Sequence, residues 1–180
     1  MSLYNQESAM AIRAKFGPIQ EQINDRIGRK DKALLYFAAP WFSEKANEFY
    51  NNVMDVCNLL EQTGEIEYDI FFPRNIQTTP MQAFTTDIAH LNNCQAVLAW
   101  VDEKDMGTSF EIGYAIAKGI PVYLLGYSDD TFDSKEHKTN LMLAAASWGY
   151  MTVDELVKFL TKSEELKIKK VNTETWEGLQ

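Results

Sequence analysis

Two apolar rhythms alternate along this chain. Short, nearly unbroken apolar runs occur at 33–39 (ALLYFAA), 68–72 (YDIFF), 95–101 (QAVLAWV) and 121–125 (PVYLL). Runs without a polar face are expected of strands covered on both sides. Between them, apolar residues recur three and four apart, which is helix spacing. Ser43 can cap a long helix that runs to about Thr63 and stops at Gly64. Pro73 ends the second run, and a polar loop from Arg74 to Thr79 leads to Pro80. Proline suits the first turn of a helix, here one carrying Phe84, Ile88 and Leu91. A third helix follows the run at 95–101 and stops at Gly119. Beyond the polar loop 126–138, residues 140–146 read as a short helix and 149–152 as a short fifth strand. Thr152 and Glu155 then fit the S/T-x-x-E capping box of an amphipathic helix with Leu156, Phe159 and Leu160 on one face.

Strands of this kind alternating with helices predict an α/β fold, a parallel sheet with right-handed crossovers. Five strands suit a flavodoxin-like doubly wound order. Residues 1–30 stand apart from the rhythm. They carry Met10, Ile12, Phe16, Ile19, Ile23 and Ile27 among polar residues, with Gly17 and Pro18 breaking the pattern. This predicts an N-terminal helical extension outside the sheet, a candidate oligomer arm, followed by one domain over 31–180.

Composition narrows the partners. The chain has 180 residues, 46% hydrophobic and 24% charged, with a formal net charge of -9. An acidic surface argues against duplex DNA or an anionic membrane as partner and leaves room for a small neutral or mildly cationic ligand. Cys57 and Cys94 show no CxxC or Cys/His spacing, and only His90 and His137 are present. Zinc is therefore not expected, and buried reduced thiols are. No apolar run approaches the ~18 residues of a membrane span. The first residues lack the apolar core of a signal peptide. A cytoplasmic protein is expected.

One stretch stands out chemically: "DMGTSFEIGYAIAKG" (105–119), a helix apolar on nearly every side that carries a single carboxylate, Glu111. An all-round apolar helix is expected to be buried, and a buried charge needs a partner, a shifted pKa or a function. Thr108 and Glu111 also fit a capping box, which needs no chemistry. Both readings stand at this point. Ligands of open α/β sheets bind beyond the carboxyl ends of the strands. There the chain offers Pro40, Trp41 and Phe42, then Arg74, Asn75 and Gln77, then Asp102, Glu103, Asp105 and Gly107, then Tyr127, Asp129 and Asp130. No P-loop or GxGxxG turn is present. Carboxylates at such a rim suit glycosyl chemistry, in which one attacks the anomeric carbon and another protonates the leaving group. Glu111 can attack; Asp87 and Asp105 are candidates for the second role. Asp102 and Asp105 also fit turn and cap positions.

These motifs resemble the nucleoside 2-deoxyribosyltransferases, in order over residues 33–178. "YFAAPWF" (36–42) is similar to that family's first strand and loop, and "TTDIAHLNN" (85–93) to its Asp-bearing helix. "DEKDMGTSFEIGYAIAKGIPVYLL" (102–125) is similar to its nucleophile segment, "TNLML" (139–143) to its Asn-x-Met segment, and "WEGLQ" (176–180) to its ending. The resemblance implies an enzyme that moves 2-deoxyribose between purine or pyrimidine bases through a covalent deoxyribosyl-glutamate intermediate, without metal or organic cofactor. It implies Glu111 as nucleophile, oriented by Tyr36, and Asp87 as the residue that handles the departing base. Asp105 and Asn140 would hold the sugar, Gln77 the base, and Trp41 and Phe42 would wall the pocket near Gly107. Met142 would enter the site of an adjacent subunit, so a homo-oligomer, in this family a hexamer, is implied. Residues 1–30 have no counterpart, and the ending Leu179-Gln180 departs from the family's aromatic one. Two alternatives are an N-glycosidase acting on deoxynucleoside 5′-monophosphates and a receiver-like signalling module. The first needs a phosphate cradle where this chain has Ala38 to Phe42. The second needs an acidic pair where it has Pro40 and Trp41. Gly113 is expected to let the helix approach the sheet closely.

Overall fold

The computed structural model describes residues 32–75, 79–132 and 139–171. The expectations for residues 1–30, for Gln77 and for 176–180 lie outside the described residues. Five strands, β1 (Ala33–Ala38), β2 (Tyr68–Phe71), β3 (Ala96–Trp100), β4 (Val122–Gly126) and β5 (Gly149–Thr152), form one parallel sheet in the order β2-β1-β3-β4-β5. This is the flavodoxin-like doubly wound order, whose switch point lies between β1 and β3.

The helices are α1 (Glu44–Thr63), α2 (Pro80–Asn93), α3 (Met106–Ala117), α4 (Leu141–Ala146) and α5 (Val153–Leu160). Ser43 Oγ accepts from the Ala46 amide at 3.0 Å to start α1. The helix buries Ala46, Phe49, Tyr50, Val53, Cys57 and Leu60, one stripe at helical spacing. Gly64, at a φ of 73, ends it by donating its N–H to Leu60 and Glu61 carbonyls. Pro80 opens α2 behind the N-cap Thr79. None of the described helices is long and apolar enough to cross a membrane.

Side chains alternate across β1 and divide the core in two. Leu35 and Phe37 face α1 and α5 together with Leu98, Trp100, Leu125 and Met151. Tyr36 and Ala38 face the other way, with Val97, Ala99, Leu124, Leu91 of α2 and Ile112 of α3. The period of two thus sends Tyr36 to the side where α2 and α3 lie. In register, Tyr36 pairs with Phe71 of β2 and Val97 of β3, at the middle of the sheet.

Candidate active site

The helix that carries Glu111 does not start with the expected capping box. Asp105 is its N-cap, and Asp105 Oδ2 accepts from the Thr108 amide at 2.7 Å. Thr108 is therefore the third helical residue and Glu111 the sixth. Glu111 stands beyond the first turn, where the helix dipole has largely faded. The box at Thr152 is different: there Glu155 Oε2 accepts from the Thr152 amide at 2.9 Å and also pairs with Lys169 at 3.0 Å. Nor is α3 buried all round. Met106 is 87% exposed and Phe110 53% exposed, so one apolar flank faces outward. Gly113 lies on that flank, and a Cβ there would meet nothing within 4 Å. Within the chain it serves no close approach to the sheet.

Glu111 has turned inward. The Tyr36 hydroxyl donates to Glu111 Oε1 at 2.5 Å, joining α3 to the interior strand β1. Burial pushes the Glu111 carboxyl up to about 8; the Tyr36 hydrogen bond opposes this, and the charges of Asp87 and Asp105 add to it. Burial likewise pushes Asp87 up to about 6, with the Tyr36 hydroxyl pulling the other way. Burial and the neighbouring Glu111 and Asp87 charges hold the Tyr36 phenol far above its ordinary value. It stays a hydroxyl and therefore a donor. Tyr36 is fully buried, with its ring against Phe71 at 5.5 Å. Phe71 in turn stacks on His90 of α2 at 3.4 Å, and His90 sits one turn beyond Asp87. Two carboxylates that share one phenol and little water suit proton handling and nucleophilic attack.

A second group gathers beside this one. A cavity of about 360 Å³ is lined by Trp100, Val101, Asp105, Thr108, Asn140 and Met142, among others. The cavity thus unites Asp105, Asn140 and Met142, while Glu111, Asp87 and Tyr36 do not line it. Asp105 connects the two groups, since its charge is felt at Glu111 and its side chain reaches the cavity. Gly107 earns its place here: a Cβ on it would stand 3.0 Å from Asp105 Oδ2. Asn140 caps α4, its Oδ1 accepting from the amides of Met142 at 2.9 Å and Leu143 at 3.4 Å. Met142 projects into solvent, 74% exposed. Trp41 packs on Tyr50 at 5.8 Å and on Phe42 at 5.0 Å, and Phe42 is itself 79% exposed. Their ring contacts are thus on the α1 side of the sheet. The sequence did not mark Thr131 or Thr139, which brace this region. Thr131 in a polar loop and Thr139 just after it carry no local signal of burial, yet both are buried.

The family model of the nucleoside 2-deoxyribosyltransferases matches residues 35–142, over half the chain. No curated protein matches the chain. Among solved structures, the chain is similar to a 2-deoxyribosyltransferase from Bacillus psychrosaccharolyticus, at 20% identity and a TM-score of 0.56. That alignment covers 77% of this chain and 98% of the other. It is also similar to a CMP N-glycosidase from Clostridium botulinum, at 22% identity and a TM-score of 0.50, covering 72% of this chain and 95% of the other. Likeness at these identities concerns the fold.

Proposed function

This chain belongs to the nucleoside 2-deoxyribosyltransferase family, and on that premise we propose that it transfers 2-deoxyribose between nucleobases with Glu111 as nucleophile. The observation that carries the reading is the Tyr36–Glu111 hydrogen bond beside Asp87. A deoxynucleoside binds with C1′ facing Glu111. The carboxylate forms a bond to C1′ as the C1′–N bond breaks, and the electron pair leaves with the base. Asp87 gives the departing base its proton. The Tyr36 hydroxyl orients Glu111 and stabilises its charge until the ester forms. A second base, bound where the first left, gives its N–H proton back to Asp87 as its nitrogen attacks C1′ from the same face, and the ester bond breaks to return Glu111 to a carboxylate. Two inversions give net retention.

Asp105 and Asn140 hold the sugar, a role supported by their sharing one cavity. Gln77 contacts the base, and Trp41 and Phe42 limit the access of water. Uncovered apolar residues support a homo-oligomer, a hexamer by family likeness. Met106, Met142, Phe110 and Phe84 are all more than half exposed. Such a surface is stabilised by burial against another copy, with Met142 entering the neighbouring site. The loop after β1, Ala39-Pro40-Trp41-Phe42, offers no cation for a 5′-phosphate, which favours nucleosides over nucleotides.

The test incubates the chain with a deoxynucleoside, with and without a second base, and with the matching 5′-monophosphate. Base exchange that depends on the acceptor supports transfer. Free sugar released at a rate indifferent to added base overturns it in favour of hydrolysis. Glu111→Ala is expected to abolish either reaction in a folded chain.

A further inference from the structure

Asp102 takes no part in the carboxylate pair, yet its contacts reach both walls of the cavity. Its Oδ2 accepts from the Trp100 indole N–H at 2.7 Å and from the Tyr127 amide at 3.1 Å. Its Oδ1 accepts from the Thr131 hydroxyl at 2.8 Å. The donors come from β3, from the residue after β4, and from the 3-10 turn Asp129–Phe132. Hydrogen bonds to an ionised acceptor are about twice as strong as neutral ones.

The chain of contacts continues inward. The Thr131 carbonyl accepts from the Thr139 hydroxyl at 2.6 Å, and both residues are buried. Thr139 immediately precedes Asn140, whose side chain starts α4. Asn140, Met142 and Leu143 form one wall of the cavity; Trp100, Val101, Asp105 and Thr108 form the other. On that second wall Asp102 is linked to Asp105 by a tight turn, in which the Lys104 amide donates to the Val101 carbonyl and Lys104 adopts a φ of 50. The fit around Thr131 is close. A Cβ on Gly126 would stand 2.7 Å from the Phe132 ring and 2.8 Å from Thr131 Cβ. The end of β4 must be bare for this turn to reach Asp102.

We propose that Asp102 is a positioning residue: through Thr131 and Thr139 on one side and the 102–105 turn on the other, it sets the spacing of Asn140 and Asp105 across the cavity that receives the sugar. This rests on the function proposed above. Asp102 acts on how the deoxynucleoside is held, while Glu111 and Asp87 retain the chemistry. An amide at 102 keeps the size but presents NH2 to one of the donors, so the clamp loosens without leaving a void.

The experiment measures deoxynucleoside KM and kcat for Asp102→Asn, Thr139→Val, Thr139→Ser and the double variant Asp102→Asn/Thr139→Val. Asp102→Asn is expected to raise KM about tenfold, with kcat within about threefold of wild type. Its pH-rate limbs should coincide with those of wild type. Thr139→Val should raise KM in the same direction, and Thr139→Ser, which keeps the hydroxyl, should restore it. The double variant should raise KM by less than the product of the two single effects, as expected along one chain of contacts. A lowered melting temperature with unchanged KM in Asp102→Asn and Thr139→Val overturns the proposal, as does a simple product of effects. Should Asp102→Asn fail to fold, the two Thr139 variants decide alone. Absence of turnover in the wild-type chain overturns both this proposal and the function beneath it.

Discussion

The Tyr36 hydroxyl lies 2.5 Å from Glu111 Oε1, a contact between a mid-sheet strand and a helix 75 positions away. It opposes the burial that pushes Glu111 up to about 8. Tyr36→Phe removes that opposition, so less Glu111 is ionised at pH 7. The expected outcome is a loss of about 10- to 100-fold in kcat, with a pH profile whose acid limb moves upward. Steady-state rates between pH 5 and 10 check it.

With Asp87 near 6 and Glu111 near 8, a pair that shares one proton keeps it mainly on Glu111. The productive arrangement, with the proton on Asp87, is then the minor one at about one part in a hundred. The rate should follow a bell with limbs near those two values, which belong to the pair rather than to either residue. Asp87→Asn should abolish the alkaline limb and move the acid limb upward, from the pair's lower value toward that of Glu111 alone, which burial keeps high. A bell unchanged by Asp87→Asn would rule out this pairing.

Glu111 is held against its own preference. In the unfolded chain its carboxyl ionises near 4.5, whereas in the folded chain it does so near 8. The folded state therefore binds more protons between these values, and stability falls as pH rises through that window. The full difference corresponds to about 5 kcal/mol. Glu111→Gln keeps an acceptor for Tyr36 and has no charge to bury. It should stabilise the chain by several kcal/mol at pH 8 but only about 1 kcal/mol at pH 5. Denaturant unfolding at the two pH values measures this, alongside the expected loss of activity.

Gly107→Ala tests the Asp105 cap. The new Cβ would meet Asp105 Oδ2 at 3.0 Å, so the carboxylate must shift from the Thr108 amide. Losing the cap costs about 1 kcal/mol, and replacing glycine in a helix offsets a similar amount. Stability should change by less than about 1 kcal/mol, while deoxynucleoside KM rises severalfold. Thermal unfolding and initial rates separate the two effects.

Much of the fold was legible because it depends on local rules. Ser43 and Gly64 bound α1, Pro80 opens α2, and the apolar runs mark the strands to within a residue or two of their ends. Their two-sided apolar character required helices on both faces, and five strands suited the doubly wound order that the sheet adopts. Glu111 was legible as an anomaly, a lone carboxylate in an apolar helix. The family motifs gave it a candidate role.

The capping question could not be settled along the chain. Asp105 and Thr108 both suit an N-cap, and the choice follows from where the Lys104 turn releases the backbone into α3. The exposure of Met106 and Phe110 was hidden for a related reason: hydropathy reports what a side chain favours, while packing decides which flank finds a neighbour. Asp102 read as a turn former because its donors, Tyr127 and Thr131, are 25 and 29 positions away. The amino-acid sequence by itself determined the elements, the two-faced sheet and the residue types available for chemistry, since propensity, periodicity and end signals act over a few residues. Only the tertiary structure decided where the helix of Glu111 is capped and which acid braces the cavity, because hydrogen bonds between distant segments depend on the register and crossovers that bring them together.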